Sequence, residues 1–177
     1  MTRRTRTTDD DGLGLIELIV AIVVSGIVIA AIATIFVNSW RTQEQVTSVT
    51  QATNRGQLVS STIERAMRNA LFFDVMDSGT VLRVSTSLTG DLKCQGFRLT
   101  DPGAQFTTDF AALSSPSTAW PTWQTGISKQ GTTPYFVRTA ANTLTYTFKI
   151  TTDAAPVTFT ADIAPRSIQE TGSNGCW

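Results

Sequence analysis

Residues 13–40 read LGLIELIVAIVVSGIVIAAIATIFVNSW, and the 23 positions from Leu18 to Trp40 contain no formally charged side chain. An α-helix needs about 20 apolar residues to cross a hydrocarbon core roughly 30 Å thick. The stretch is therefore long enough to span a bilayer, whereas a helix buried in a soluble core seldom runs so far without a charge. We predict a transmembrane helix at 13–37.

The segment that precedes this helix is short and highly charged. Arg3, Arg4 and Arg6 are followed by three aspartates at 9–11. Positive residues next to the first apolar segment favour keeping that flank in the cytoplasm, and acidic residues contribute little to orientation. The sequence therefore predicts a single pass through the cytoplasmic membrane, with the N-terminus inside and the rest of the chain outside.

The composition excludes several common classes of enzyme. The 177 residues include no histidine, and 14 basic residues are balanced by 14 acidic ones. Without an imidazole, Ser-His-Asp and Cys-His hydrolysis and His-rich zinc centres are excluded. The sequence also contains no Walker loop, nucleophile elbow or paired-carboxylate signature. We expect a protein that is not an enzyme and that needs no cofactor and no catalytic metal.

Glu17 is the one acidic residue at the beginning of the apolar stretch. An acid within a membrane helix costs about 2.5 to 3.5 kcal/mol on insertion scales, so such a residue is expected to have a partner or a function. A carboxylate near the membrane edge can alternatively extend toward the lipid headgroups. Position alone leaves both interpretations of Glu17 open.

Residues 12–22, GLGLIELIVAI, resemble the prepilin signal of type IV pilins and of the related pseudopilins. The resemblance implies that 1–12 form a leader peptide, that a prepilin peptidase cuts between Gly12 and Leu13, and that Leu13 is then N-methylated. Glu17 becomes the fifth residue of the mature chain. In this family such a carboxylate pairs with the N-terminal amine of a neighbouring subunit, so the resemblance implies that Glu17 is an assembly contact.

The resemblance also implies a function. The protein would be a structural subunit of a type IV pilus, competence or type II secretion filament. Its partners would be the prepilin peptidase, other pilin or pseudopilin subunits and the cytoplasmic membrane. Many major pilins carry a helix-breaking proline where Thr34 stands in this sequence. Its absence favours a minor pilin or a J-type pseudopilin. After assembly the subunit would lie in an extracytoplasmic filament or at the cell surface.

Two other functions remain possible from the sequence. A single-pass, membrane-anchored binding protein would have the same apolar helix but would never polymerise. A secreted enzyme would be released by signal peptidase near Thr34, because 31–33 (Ala-Ile-Ala) has the small-x-small form of a cleavage site. The enzyme would require a catalytic cluster, and the sequence offers none.

Beyond Trp40 the sequence predicts an amphipathic extension of the helix over 38–70. Small and apolar residues recur there at alternating intervals of three and four, which places them on one helix face. These residues are Val49, Ala52, Gly56, Val59, Ile63, Ala66 and Ala70. We predict one helix from Leu13 to about Ala70 that packs this stripe against a sheet, with a free coiled coil as the alternative. Glu64 and Arg68 have the spacing of a helical ion pair.

The remaining residues, 71–177, predict a β-rich globular head. Leu144, Tyr146, Phe148 and Ile150 alternate with polar residues, which is typical of a half-buried strand. The other strand candidates are 80–87, 93–100, 134–139 and 157–163, with a hairpin turn at 140–142. The stretch 101–133 is predicted to be a long loop with little regular structure. The fold class is therefore α+β, a long N-terminal helix on a C-terminal antiparallel sheet.

Cys94 and Cys176 are the only cysteines in the sequence. Outside the cytoplasm an even pair commonly forms a disulfide, and two free thiols are the alternative. Two cysteines are too few for a zinc site.

Two further pairs of charged residues have only weak functional signals. Asp74 and Asp77 could contribute to a calcium site, but their spacing does not match an EF-hand and a solvated turn is the alternative. Arg65 and Arg68 could touch DNA, although two arginines on a helix usually form a solvated face.

Overall fold

The structure is a computed structural model that describes residues 14–87, 90–140, 142–166 and 175–177. The chain divides into two compact units, Met1–Gln43 and Glu44–Trp177, and the helix α1, Leu15–Arg68, contributes to both. The predicted helix start at Leu13 lies outside the described residues.

Within the first unit, α1 presents its apolar side chains to the surroundings. Leu15 and Ile16 are 78% and 72% exposed, and the most apolar 18-residue window of the helix contains no buried residue. A helix satisfies every backbone hydrogen bond within the segment itself, which a lone strand cannot do in lipid. The length and composition of α1 fit a membrane anchor, as the sequence predicted.

In the second unit, one face of α1 is buried against the sheets of the same chain. The buried residues of this face are Ala52, Gly56, Val59, Ser60, Ile63, Ala66 and Met67. The predicted stripe is therefore largely correct, with Val49 only half-buried. Ala70 is buried too, but it begins a strand rather than continuing the helix, which ends at Arg68.

The first sheet contains five antiparallel strands in sequential order. They are β1 (Ala70–Met76), β2 (Val81–Thr86), β3 (Lys93–Thr100), β4 (Gly103–Asp109) and β5 (Thr122–Thr125). Each strand pairs with the next along the chain, so the sheet is a meander.

The second sheet is organised around one long strand. Its members are β6 (Ile127–Ser128), β7 (Phe136–Ala140), β8 (Thr143–Ile150) and β9 (Val157–Ile163). β9 pairs along the whole of β8, while β7 and β6 pair with the other side of β8. The inward residues of β8 are all buried, as their alternation predicted.

The α+β fold class is thus confirmed, with two antiparallel sheets instead of one. The strands predicted at 93–100 and 157–163 coincide with β3 and β9. Ala140 and Thr143 pair across the predicted hairpin turn at 140–142, of which Ala141 lies outside the described residues.

The prediction of a long irregular loop at 101–133 is wrong, because β4, β5 and β6 lie within it. Trp120 is buried against Gly96 of β3, and its indole N–H donates to the Ser114 carbonyl, 2.8 Å away. The Gln105 amide donates to the carbonyl of Trp120 over 2.7 Å. These contacts hold the segment between β4 and β5 in place, and no short-range pattern encodes them.

The sequence pattern does not predict β1, Ala70–Met76. This segment, ALFFDVM, follows the helix after one residue, Asn69, and contains runs of apolar residues without a clear period of two. Its partner β2 determines that it is a strand. Phe73 of β1 is completely buried in the core between the sheets and α1.

Candidate functional site

The first candidate site lies at the N-terminal end of α1. The Gly14 carbonyl accepts hydrogen bonds from the backbone N–H groups of Glu17, at 2.9 Å, and of Leu18, at 3.2 Å. Glu17 is therefore in the first helical turn, where the partial positive charge of the helix terminus favours an anion. Its side chain is exposed and forms no hydrogen bond or ion pair with any residue that the structure describes.

The surface next to Glu17 is apolar and shaped by small residues. A shallow groove on α1 is lined by Leu18, Ala21, Ile22, Ser25, Gly26 and Ile29. A β-carbon at Gly26 would meet nothing within 4 Å, so this part of the helix has open space beside its backbone. Small residues on an apolar helix allow a second helix to approach closely. The arrangement combines one unpaired acid with a surface suited to helix packing.

The residues predicted for proteolytic processing, Gly12 and Leu13, lie outside the described residues. Cleavage between them and methylation of Leu13 therefore stay predictions. Glu17 is the only residue of the predicted N-terminal site whose geometry the structure gives.

The two cysteines lie together in the second compact unit, Glu44–Trp177, which is the head unit. Cys94 of β3 and Cys176 form a disulfide with their Cα atoms 5.4 Å apart, and both residues are buried. The Leu113 backbone N–H donates to the Cys176 carbonyl, 2.8 Å away. The C-terminal segment is thus attached covalently to the first sheet.

An aromatic and charged cluster surrounds this attachment, and the sequence analysis did not find it. The Trp177 ring lies 5.7 Å from that of Phe72, and the Arg83 guanidinium lies over it at 4.6 Å. Arg83 also forms an ion pair with Asp74 at 3.0 Å. The Asp74 carboxylate that was considered for calcium therefore has a cationic partner.

Asp77, the other residue considered for calcium, lies in the turn between β1 and β2. Asp77 and Ser78 both have positive φ, 52° and 56°, and both are exposed. Among the described residues, no group of three acidic or cysteine side chains is placed to hold a metal ion.

A third group of polar residues connects the helix to the second sheet. The hydroxyl of buried Tyr146 donates to Glu64 Oε1 at 3.0 Å, and Glu64 Oε2 lies 3.4 Å from an Arg68 nitrogen. The predicted pair of Glu64 and Arg68 is therefore present. Burial raises the pKa of Tyr146 to about 12, and the Glu64 carboxylate acts in the same direction. Burial likewise raises the pKa of Tyr135 to about 12, with a smaller contribution from the charge of Asp101.

Arg65 and Arg68, noted in the sequence, lie in the last turn of α1 and line a cleft together with Arg166. The sequence pattern does not indicate Arg166, because only the fold brings the segment after β9 to the end of the helix. No short motif contains these three arginines.

A family model described as "Prokaryotic N-terminal methylation motif" matches residues 9–33. This match confirms the N-terminal motif identified in the sequence, and it includes Gly12, Leu13 and Glu17. No curated protein and no solved structure matches the chain.

Proposed function

We propose that the chain, which carries at residues 9–33 the N-terminal methylation motif of type IV pilin-like proteins, is a structural subunit, a minor pilin or pseudopilin, of an extracytoplasmic filament. The motif implies processing by a prepilin peptidase. We place the cut between Gly12 and Leu13 and the methyl group on the new amine of Leu13. The absence of a proline at Thr34 supports a minor subunit.

The observation that carries this proposal is the carboxylate of Glu17, which pairs with no described residue and lies on an exposed apolar helix. Cleavage after Gly12 creates a cationic amine close to the apolar segment, and methylation leaves it cationic. A lone acid in lipid is unfavourable, and an amine from a second chain offsets part of that cost. The two groups meet only at one stagger of neighbouring helices, so Glu17 selects the register of assembly.

The apolar surface of α1 suits two environments that the subunit would occupy one after the other. Before assembly, its exposed side chains would lie in the lipid of the cytoplasmic membrane, with the head unit outside the cytoplasm. After assembly, the same side chains would pack against the helices of neighbouring subunits, and the groove at Ala21, Ser25 and Gly26 would allow close approach. A structural role also agrees with the lack of histidine and of catalytic motifs in the sequence.

Analysis of the protein from its native host tests the proposal. Filaments sheared from the cells and the membrane fraction are separated, and the intact mass of the protein is measured in each. We expect a chain in the filament fraction that consists of residues 13–177 with one added methyl group. A chain that retains Met1 and occurs only in membranes would instead favour the membrane-anchored binding protein that does not polymerise.

A further inference from the structure

A cleft rich in arginine lies at the C-terminal end of α1 in the head unit. It is lined by Ser61, Glu64, Arg65, Arg68, Asn69 and Arg166. Three of these residues are arginines, and they come from two distant parts of the chain. The Arg166 backbone N–H donates to the Arg68 carbonyl over 3.2 Å, which fixes the segment after β9 against the end of the helix.

The charges of the cleft are not balanced within the described part of the chain. Glu64 is the only acidic residue of the lining, and both of its oxygens are engaged, one by the Tyr146 hydroxyl and the other near Arg68. Neither Arg65 nor Arg166 forms an ion pair with a described residue. Among the described residues, the cleft therefore has an excess of positive charge, and the guanidinium groups of Arg65 and Arg166 have no acidic partner.

The neutral polar residues of the lining each have one donor that is already engaged. The Asn69 side-chain amide donates to the Arg65 carbonyl at 2.7 Å, and the Ser61 hydroxyl donates to the Leu58 carbonyl at 3.2 Å. The donors that face an incoming group are thus mainly those of the arginines. A ligand that only accepts hydrogen bonds and carries negative charge fits this arrangement.

Helix electrostatics explains only part of the cluster. Basic residues in the last turn interact favourably with the negative end of the helix dipole, and this accounts for Arg65 and Arg68. At that end the dipole is equivalent to only about −0.5 elementary charge, so it cannot balance three guanidinium groups, of which that of Arg166 comes from outside the helix.

We propose that this cleft binds a phosphate group, presented either as free phosphate or as the phosphodiester of a nucleic-acid strand. Each guanidinium offers a planar fork of N–H donors that matches two oxygens of a phosphate. Three forks supply more donors than the two oxygens of a carboxylate accept, whereas the oxygens of a phosphate can engage several of them. The proposal does not depend on filament assembly, because every residue involved lies in the head unit.

Binding measurements on the complete mature chain in non-ionic detergent test this inference. The two probes are inorganic phosphate, followed by calorimetric titration, and a short fluorescein-labelled thymidine oligonucleotide, followed by anisotropy. The variants Arg65→Gln and Arg166→Gln each remove one exposed guanidinium of the cleft. Arg55→Gln is the matched control, since Arg55 is also exposed on α1 but does not line the cleft.

We expect Arg65→Gln and Arg166→Gln each to raise the dissociation constant roughly tenfold, and Arg55→Gln to change it less than about twofold. Arg166→Lys keeps the charge but loses the fork, so its affinity should fall between those of wild type and Arg166→Gln. For the oligonucleotide, each of the two glutamine variants of the cleft should also reduce the slope of the logarithm of the binding constant against the logarithm of salt concentration by about 0.7.

The two probes distinguish the sources of the phosphate. Saturable binding of inorganic phosphate that the cleft variants weaken identifies free phosphate as a ligand. Binding of the oligonucleotide but not of inorganic phosphate, with the expected loss of salt dependence in the glutamine variants of the cleft, identifies a nucleic-acid strand as the ligand. The inference is overturned if neither probe binds saturably, or if Arg55→Gln weakens binding as much as the cleft variants do.

Discussion

Gly56 of α1 lies directly beneath the ring of Phe159 on β9, and a β-carbon added to Gly56 would overlap that ring. The Phe159 ring stacks on Phe148 of β8 with the ring centroids 5.2 Å apart. The lack of a side chain at one helical position thus allows the second sheet to lie against the helix backbone. Glycine has an unfavourable helix propensity, and close packing compensates for it here.

This contact predicts the effect of Gly56→Ala. In an open helix the change would stabilise by about 0.5–1 kcal/mol, because alanine has the higher helix propensity. Here the new methyl group forces the ring of Phe159 to move, and overpacking typically costs about 1–3 kcal/mol. We expect a net decrease in the free energy of unfolding, measured by urea denaturation of the full chain in detergent.

Gly26→Ala is the control for this substitution, because a β-carbon at Gly26 meets no atom within 4 Å. It should leave the unfolding midpoint of the head unit unchanged. In a double-mutant cycle, Phe159→Ala should remove most of the cost of Gly56→Ala. An unfolding midpoint that rises in Gly56→Ala would show that the ring adjusts freely and that the packing argument is incorrect.

The raised pKa values of Tyr135 and Tyr146 predict a loss of stability in alkali. Both pKa values are about 12 in the folded protein, against 10.0 for an exposed tyrosine. Between these values the unfolded chain releases protons that the folded chain retains, so the free energy of unfolding falls as pH rises from about 10 to about 12. Each tyrosine contributes at most about 1.4 kcal/mol per pH unit to this decrease in the free energy of unfolding.

The variant Tyr146→Phe separates the two contributions. It should reduce the alkaline slope by roughly half, since Tyr135 keeps its own share. It also removes the hydrogen bond to Glu64, which should cost about 1 kcal/mol at neutral pH because Glu64 remains accessible to water. Urea denaturation at several pH values measures both effects. Equal slopes for wild type and Tyr146→Phe would contradict the explanation from burial.

The disulfide between Cys94 and Cys176 predicts a large effect of reduction. The bond closes a loop of 82 positions, for which the chain-entropy model gives about 4–5 kcal/mol of stabilisation. We expect thermal unfolding under reducing conditions, and of the Cys94→Ser/Cys176→Ser variant, to occur at a clearly lower temperature. Trp177→Ala, which keeps the bond but loses the contacts with Phe72 and Arg83, should have the smaller effect. If it destabilises as much as reduction does, the aromatic contacts contribute as much as the covalent link, against this prediction.

The sequence predicts those parts of the fold whose buried residues repeat at short, regular intervals. The buried stripe of α1 repeats every three or four residues, and the inward side chains of β8 repeat every two, so neighbouring residues suffice to identify both. Strands β4 and β5 are different. Phe106 of β4 packs on Phe97 of β3 at 4.9 Å and on Trp123 of β5 at 5.2 Å, and these partners are distant in sequence.

The same distinction applies to the functional residues. Glu17 could be identified from the sequence because it is a charged residue next to a long apolar stretch, and the neighbouring residues suffice to show this. Arg166 could not, because its proximity to Arg65 exists only after β9 has paired with β8 and brought the chain back to the end of α1. Sequence patterns therefore predict sites within one element better than sites assembled from several.

The last prediction concerns Glu17→Gln, which removes the charge but keeps the size and shape of the side chain. If Glu17 served only the monomer in the membrane, losing the charge would ease insertion by a substantial part of the about 2.5–3.5 kcal/mol cost of an acid in lipid. If Glu17 pairs with the amine of a neighbour, the variant should be processed and inserted normally but enter filaments at least about tenfold less, because the buried amine loses its counter-charge. Comparing the filament and membrane fractions by quantitative mass spectrometry measures this ratio, with Glu44→Gln on the same helix as the control. Normal incorporation of Glu17→Gln would exclude the pairing and leave the exposed apolar surface of α1 as the only determinant of assembly.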